Sequence, residues 1–361
     1  MRRLLSIVLL MVSLGAMAQD SVAVEEPKKE LSWLRRTIRG FSYIDENYVE
    51  PQHYNWSIMF QGTYNYDYYR LSSTGDNKQT VSFAPSPTFK FGPYFGWRWI
   101  FAGYAFDIKN VNVSDFKQEI DFSIYAAQLG ADIYYRRTGS DYKIRNVSLG
   151  KDMEKEHFEN LAFDGLSVGI TGFNVYYIFN HQRFSYPAAF AQSTCQKLSC
   201  GSWMAGLGYT KNTLELDFDK LKQTLASRMP VNQEIGLDSS MMFKNVKYYD
   251  FMVSGGYAYN WVFAKNWLFC ASGQLALAYK TSYGKVANEK QGFDFAKVNL
   301  DLIGRFGMVY NNNTFYAGWS AILRSNNYHT SRFKANNIFG SFNAYVGYNF
   351  ILRKKYRTKK Q

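Results

Sequence analysis

Residues that could do acid–base or nucleophilic chemistry are few in this sequence. The four histidines are His53, His157, His181 and His329. His329 lies two residues before Ser331, and a histidine that removes a proton from a hydroxyl is one way to activate a nucleophile. No acidic residue that would orient this histidine can be assigned, so an ordinary loop histidine and serine are the alternative. We expect that the chain is not an enzyme.

Residue types that bind cofactors also lack a recognisable spacing. No HExxH, paired Cys–His or glycine-rich phosphate-binding motif is present, so the sequence predicts no metal ion and no other cofactor. Cys195 and Cys200 are five residues apart and could close a small disulfide loop in an oxidising compartment, which would leave Cys270 unpaired. Three free thiols are the alternative.

A larger set of charged residues alternates with apolar residues and would face the inside of a barrel. A pore selective for anions or cations would show a ring of one sign. This set instead holds six acidic and six basic residues, which favours charges paired across a polar, largely filled lumen, with a narrow solute channel as the alternative. The predicted lumen residues are Asp67, Lys90, Glu119, Asp121, Asp132, Arg136, Asp250, Lys280, Lys297, Asp301, Arg305 and Arg324.

Strands that could position these residues follow from alternation with a period of two over ten or more residues. In the stretch 296–310, apolar residues occupy the even positions, whereas Lys297, Asp301 and Arg305 occupy odd positions. The sequence predicts an all-β fold, a transmembrane antiparallel up-and-down β-barrel of about twelve strands. The predicted strands are 54–70, 80–91, 95–109, 117–137, 141–149, 164–179, 200–213, 247–261, 266–281, 293–310, 314–328 and 333–352.

Two of these strands change phase, because their apolar residues move from even to odd positions within 117–137 and within 164–179. We interpret each change as a β-bulge. Ten strands are also possible, since 141–149 alternates least clearly.

Connections between the predicted strands alternate between short turns and long loops, as in bacterial barrels. The segment 180–199 is the exception, since it is long where a short turn is expected. The predicted periplasmic turns are Gly92-Pro93, 138–140, Ala264-Lys265 and 311–313, and the predicted external loops are 150–163, 214–246 and 282–292.

Composition favours a membrane barrel over a soluble domain or a helical membrane protein. The chain has 29 Tyr, 29 Phe and 8 Trp, which suit the aromatic girdles at the two edges of a bilayer. Beyond Leu14 no run of 18 apolar residues occurs, and the mean hydropathy is −0.33.

The two ends of the chain differ from the barrel. Residues 1–18 combine a basic start, an apolar run and a small-residue site, which predicts a signal peptide cleaved after Ala18. Residues 19–53 would form a periplasmic segment with a short amphipathic helix near 31–41, or a bare linker. Residues 353–361 form a basic tail within a net charge of +13, but an exported chain meets no nucleic acid, so we expect a solvated or lipid-bound tail.

Three further stretches stand out: Tyr43-Ile44-Asp45 with Tyr48-Val49-Glu50-Pro51, Gly92-Pro93-Tyr94-Phe95-Gly96-Trp97-Arg98-Trp99, and Phe184-Ser185-Tyr186-Pro187-Ala188-Ala189-Phe190. They resemble a family of Bacteroidota envelope proteins known as domain of unknown function 4421. The resemblance extends from about Arg36 to Phe350, and it implies location and architecture without assigning any catalytic residue. Two weaker resemblances are a C-terminal barrel-assembly signal at Tyr345, Gly347, Phe350 and Leu352, and the His–Ser arrangement of lipid A deacylase barrels at His329 and Ser331.

Three functions are compatible with these features. The first is a structural or interaction role in the outer membrane of a Gram-negative bacterium, and the second is a narrow passive channel for small solutes. The third is a lipid-modifying enzyme, which rests on His329 and Ser331 alone. The expected partners are outer-membrane lipid, lipopolysaccharide and the barrel-assembly machinery, with no nucleic acid.

Overall fold

The alternating segments fold into one large antiparallel sheet that curls into a β-barrel. Sixteen strands form this sheet, and two further short strands pair with each other. The predicted all-β antiparallel barrel is confirmed. The computed structural model describes residues 43–74, 78–97, 100–103, 106–107, 118–137, 141–150, 156–228, 236–243, 245–285, 292–329 and 333–357.

The N-terminal half contains short strands as well as long ones. They are β1 Val49–Pro51, β2 Tyr54–Ser73, β3 Thr80–Pro85, β4 Thr88–Trp97, β5 Ile100–Gly103, β6 Phe106–Asp107, β7 Gln118–Tyr125, β8 Leu129–Arg137, β9 Tyr142–Ser148, β10 Glu156–Ala162 and β11 Leu166–Ile178.

The C-terminal half consists mainly of strands of 15 to 20 residues joined as hairpins. They are β12 Thr194–Gln196, β13 Cys200–Leu216, β14 Asn245–Ala264, β15 Trp267–Lys285, β16 Gly292–Asn311, β17 Phe315–His329 and β18 Phe333–Leu352. The helices are α1 Tyr186–Phe190, α2 Phe218–Ala226 and α3 Lys354–Arg357, with a 3₁₀ turn at Ser239–Met241.

The strand order places the first long strand of the sheet, β2, next to the last one, β18. From β11 to β18 each barrel strand pairs with the next one along the chain, and β18 pairs with β2 over its length. We call the end of the barrel where β2 begins and β18 ends the turn end, because the short connections at 126–128, 265–266 and 312–314 also lie there. The opposite end is the loop end.

The predicted count of twelve strands is wrong, because several predicted segments divide. Segment 117–137 is a hairpin of β7 and β8 around 126–128, not one bulged strand. Segment 80–91 is split between β3 and β4 at Ser86-Pro87, where proline lacks an N–H for the ladder. The pair β9–β10 adds to the edge of β3 at the loop end, so 141–149 does not cross the barrel wall.

Two other predictions about connections are also wrong. Gly92 and Pro93 are not a turn but lie inside β4, paired with Gln61 and Phe60. The predicted external loop 150–163 contains β10. The predicted loop 214–246 matches the long connection from β13 to β14, which contains α2. The turns at Ala264-Lys265 and 311–313 match the tight connections of β14 to β15 and β16 to β17. The turn 138–140 lies outside the described residues.

The predicted bulge in β11 is absent, and a reversal of its apolar face explains the change of pattern. Pairing of β11 with β13 runs without a register shift from Leu166 to Ile178. Near the loop end, Leu166, Val168 and Ile170 point inward and are buried, whereas Phe173 points outward and is exposed. Apolar residues therefore face an internal cluster at the loop end and lipid further along the same strand.

This internal cluster, the loop-end core, joins residues that the sequence separates widely. It includes Leu71 of β2, Phe83 of β3 and Leu214 of β13, all buried. The helix α2 covers it with Phe218, Leu221 and Leu225, which share one helical face. The loop end is consequently closed by a hydrophobic core of the kind found in soluble domains.

Outward-facing apolar side chains form a band around the remaining wall. On β14 the exposed band extends from Phe251 to Trp261. Ten residues of strand span about 33 Å, and a tilt of about 35–45° reduces this to about 25 Å, the height of a barrel's lipid-facing band. Aromatic rings meet along its turn-end edge, as in Trp267 and Tyr310, whose centroids are 5.3 Å apart.

The predictions for the two termini are only partly covered. The signal peptide and the amphipathic helix near 31–41 lie outside the described residues. Of the basic tail, residues 354–357 form the single turn α3. Among the described residues, no helix is long and apolar enough to cross a bilayer.

Candidate functional site in the barrel interior

A first buried charge cluster lies where β8 faces β16 and β17 across the lumen. The Asp132 carboxylate accepts hydrogen bonds from Arg305 and from Ser123, the latter at 2.7 Å, and Arg324 Nη2 lies 3.2 Å from its Oδ2. Arg305 lies over the Tyr176 ring, 4.9 Å from the centroid. Two guanidinium groups share one carboxylate, so the cluster carries an excess of one positive charge.

A second cluster has the opposite excess. The Lys280 ammonium lies 3.4 Å from Asp250 Oδ2 and 3.1 Å from Asp301 Oδ2, and it also donates to Asn326. Asn212 donates to Asp250 at 3.0 Å. Two carboxylates share one ammonium here, and the two clusters together balance to zero. Burial of such charges is tolerated because each has a partner of opposite sign and added hydrogen bonds.

Seven of the twelve predicted lumen residues belong to these clusters or lie beside them. Arg136 is buried over the Phe339 ring at 5.1 Å and donates to Gly340 O at 3.4 Å. Asp67 and Lys90 are half-buried on β2 and β4. The side chains of Glu119, Asp121 and Lys297 lie outside the described part. The structure brings Asp132, Arg305 and Arg324 together in the first cluster. It brings Asp250, Lys280 and Asp301 together in the second cluster.

The segment 180–199, here called the plug, folds into the turn end of the barrel. The Ser185 side chain caps α1 by accepting from Ala188 N at 3.2 Å, and Pro187 suits the first turn. Tyr186 donates to Ser272 on β15, and Gln192 Nε2 donates to the Tyr345 hydroxyl on β18 at 2.6 Å. The plug is therefore held by side-chain hydrogen bonds to the barrel wall.

Sequence reasoning missed the plug, although two signals pointed to it. Its length is anomalous for a turn, and it carries three aromatic residues, Phe184, Tyr186 and Phe190, in a segment expected to be a connection. Phe184 and Tyr186 are fully buried within the barrel. Gly307 of β16 allows a close approach, because a Cβ there would lie 3.2 Å from the Phe190 ring.

The segment 43–53 is attached to the plug rather than to the barrel wall. Strand β1 pairs antiparallel with β12, with Val49 opposite Gln196. Lys197 N donates to Tyr48 O at 2.7 Å, and Arg183 Nε lies 3.5 Å from Asp45 Oδ2. The His53 ring meets the Tyr356 ring of α3 at 4.1 Å, so both termini of the described chain converge on the plug.

The predicted disulfide is not formed, since Cys195, Cys200 and Cys270 are free thiols. Cys195 lies on β12 and donates to Asn311 O at 3.7 Å, whereas Cys200 begins β13 and contacts Asn180. The two cysteines belong to different elements, and the β1–β12 ladder holds Cys195 opposite Glu50. Burial raises the pKa of the Cys195 thiol to about 12, so the thiol is protonated at neutral pH.

The histidine and serine considered from the sequence are only partly covered by the described residues. His329 ends β17 with an exposed side chain, and Ser331 lies outside the described residues. Within the part of the chain that the structure describes, no group of three or more His, Cys, Asp and Glu side chains could hold a metal ion.

The fold, its lipid-facing band and its filled interior define the class of this protein as a β-barrel of the outer-membrane type. The chain belongs to the family described as Domain of unknown function (DUF4421), whose profile matches residues 43–350. No curated protein matches it.

Solved structures that resemble it come from proteins of several kinds. The outer membrane protease OmpT of Escherichia coli is 8% identical over 84% of this chain and 98% of that one, with a TM-score of 0.36. The attachment invasion locus protein Ail of Yersinia pestis is 7% identical over 80% and 98%, with a TM-score of 0.22. The toluene transporter TodX of Pseudomonas putida is 9% identical over 81% and 90%, with a TM-score of 0.23.

Proposed function

We propose that this chain is a sealed outer-membrane β-barrel with a structural or interaction role in the envelope of a Gram-negative bacterium. The observation that carries the proposal is the filling of the lumen at three levels. The plug fills the turn end, the two charge clusters cross-link the middle, and the loop-end core fills the far end. Small barrels commonly fill their interior with side chains in this way.

The orientation that suits this role places the turn end in the periplasm. Short turns and both chain ends are periplasmic in outer-membrane barrels, and longer loops are external. The segment 43–53 and the plug would then face periplasmic partners, after a signal peptide has been cleaved behind Ala18. Lipid, lipopolysaccharide and the barrel-assembly machinery would contact the outer wall.

Planar-bilayer recording tests the sealed state. Purified protein whose folding is verified by a heat-modifiable shift on semi-native gels is added to bilayers, and a conducting porin prepared in the same detergent is the control. We expect no reproducible unitary conductance from the wild-type chain. Stable conductance steps at every insertion would refute the proposal.

A narrow passive channel is the second candidate, and one observation favours it. A polar cavity of about 320 Å³ lies beside the plug on the inner faces of β2, β4, β17 and β18. Proteoliposomes separate the two candidates, because a channel would make them swell in an iso-osmotic solution of a small sugar. We expect no swelling, since the plug fills the turn end of the lumen and the loop-end core fills the other end.

A further inference from the structure

The polar cavity beside the plug has a wall made almost entirely of neutral hydrogen-bonding side chains. Gln61 Nε2 donates to Thr63 Oγ1 at 3.0 Å and to Asn343 Oδ1 at 3.2 Å. Thr63 donates to the same Asn343 oxygen at 2.8 Å, and Asn343 Nδ2 lies 3.5 Å from Ser320 Oγ. Amide and hydroxyl groups thus present donors and acceptors side by side on adjacent strands.

Aromatic rings also line the cavity. The rings of Tyr125 on β7 and Phe190 on the plug stack with centroids 5.5 Å apart, and Tyr94 of β4 also lines the space. Gln61, Thr63, Asn343 and Tyr94 point inward yet are only half-buried, because the cavity leaves room for solvent against them. Polar groups and aromatic rings therefore line the same space, which solvent can occupy.

Charge plays a small part in this lining. Among the described residues around the cavity, Lys90 is the one with a charged side chain. Ser123, which also lines the cavity, donates to Asp132, and that carboxylate is already paired with two arginines. A strongly anionic ligand would need several cations, and a cationic ligand would need an exposed acid.

We infer that this cavity is a binding site for a neutral, hydroxyl-rich small molecule of about monosaccharide size. A cyclic polyol carries hydroxyls around its edge and apolar C–H groups on its faces, which matches a lining that combines amide and hydroxyl groups with aromatic rings. The volume of about 320 Å³ lies at the lower end of the roughly 300–1,000 Å³ typical of ligand pockets. At about 30 Å³ each, roughly ten waters would otherwise fill it.

The site does not depend on the sealed state, because a ligand can bind during a transient opening of either end without net transport. Conductance and swelling measurements test the sealed barrel, whereas binding at equilibrium tests this site. The two results are therefore independent.

Binding is tested by saturation-transfer NMR and calorimetry on the folded full-length protein in a detergent without a sugar headgroup. The probes are glucose, N-acetylglucosamine and myo-inositol, with glucuronate and inorganic phosphate as anionic comparisons. We expect at least one neutral probe to bind at millimolar concentration or better, and more tightly than either anion. No binding of any neutral probe to folded protein, or tighter binding of an anion, would overturn the inference.

Variants locate the binding inside the cavity. Ser341→Phe places a ring in the space, and Asn343→Leu removes the hub of the polar wall, so each should weaken binding at least tenfold. Thr63→Val is a milder change that keeps the inference testable when the larger variants do not fold. The matched control is Phe342→Leu, next to both positions but exposed on the lipid face, which should bind as the wild type does. Equal binding by Ser341→Phe and the control would overturn the inference.

Discussion

Removing the shared carboxylate of the first charge cluster should destabilise the barrel more than removing either arginine. In Asp132→Ala, Arg305 remains fully buried and Arg324 8% exposed, and both lose their counter-ion. Breaking a buried ion pair by removing one partner costs about 3–5 kcal/mol. At about 1.4 kcal/mol for each factor of ten, the folding equilibrium constant should fall more than a hundredfold.

Arg324→Ala provides the comparison, because Asp132 keeps its bond to Arg305 in that variant. The loss is then one of the two ion pairs of Asp132, and it should be smaller than the loss in Asp132→Ala because no buried charge is left without a partner. A compensated variant, Asp132→Leu with Arg305→Met and Arg324→Met, removes every charge of the cluster and should recover most of the stability. Replacing a buried ion network by apolar residues of similar volume is often neutral.

Urea titration of protein folded into lipid vesicles measures these differences, with the folded and unfolded bands separated on semi-native gels. The expected order of stability is wild type, compensated variant, Arg324→Ala and Asp132→Ala. The reasoning fails if Asp132→Ala is no less stable than Arg324→Ala. It also fails if the compensated variant is as unstable as Asp132→Ala.

Three other measurements probe the plug, the lipid face and the terminal segment. In a protein with Cys195 and Cys200 replaced by serine, the buried thiol of Cys270 should resist labelling by a polar maleimide. Gly307→Phe should expose Cys270 to the maleimide by displacing Phe190. Unchanged labelling in this variant would contradict the contact between Gly307 and the plug. Leu277→Arg, at a position 60% exposed to lipid, should cost about 2–4 kcal/mol, whereas Lys247→Arg near the loop end should cost nothing measurable in the same titration. Burial holds the pKa of the His53 side chain below its usual value of 6.5. The stability that depends on neutral His53 is therefore complete above pH 6.5 and is lost as the pH falls below that value towards the pKa in the folded protein. The protection factor of the Lys197 amide against hydrogen exchange should therefore be lower at pH 5 than at pH 7, and His53→Asn should abolish the difference.

Sequence pattern predicts this fold best where each strand face has a single environment throughout. Residues 293–310 and 333–352 were assigned almost to the ends of β16 and β18, because lipid and lumen impose opposite polarity along their length. The prediction failed in β11, where Ile170 packs into the loop-end core and Phe173 faces lipid. A change of environment along a strand looks the same in sequence as an inserted residue.

The sequence predicts charged residues in the lumen, but it does not predict which of these residues form ion pairs. Alternation places Asp132, Arg305 and Arg324 on the inner face, since side chains on a strand point to opposite sides in turn. It does not give the height of each residue in the barrel, which depends on strand register and tilt. The plug could not be derived, because its buried residues pack by shape around α1 and follow neither strand nor helix periodicity over its length.

The attachment of the plug has a consequence for how the protein can move. Its two covalent ends continue into β11 and β13, which are hydrogen-bonded neighbours, and the β1–β12 ladder also ties it to the segment that leads into β2. Displacing the plug would break the contacts of Tyr186 and Gln192 and strain or open the β1–β12 ladder, but it would break no ladder between barrel strands. A force on the segment 43–53 would reach the plug through the β1–β12 ladder. Displacement of the plug from the lumen and unfolding of the barrel wall are thus two separate equilibria in one chain.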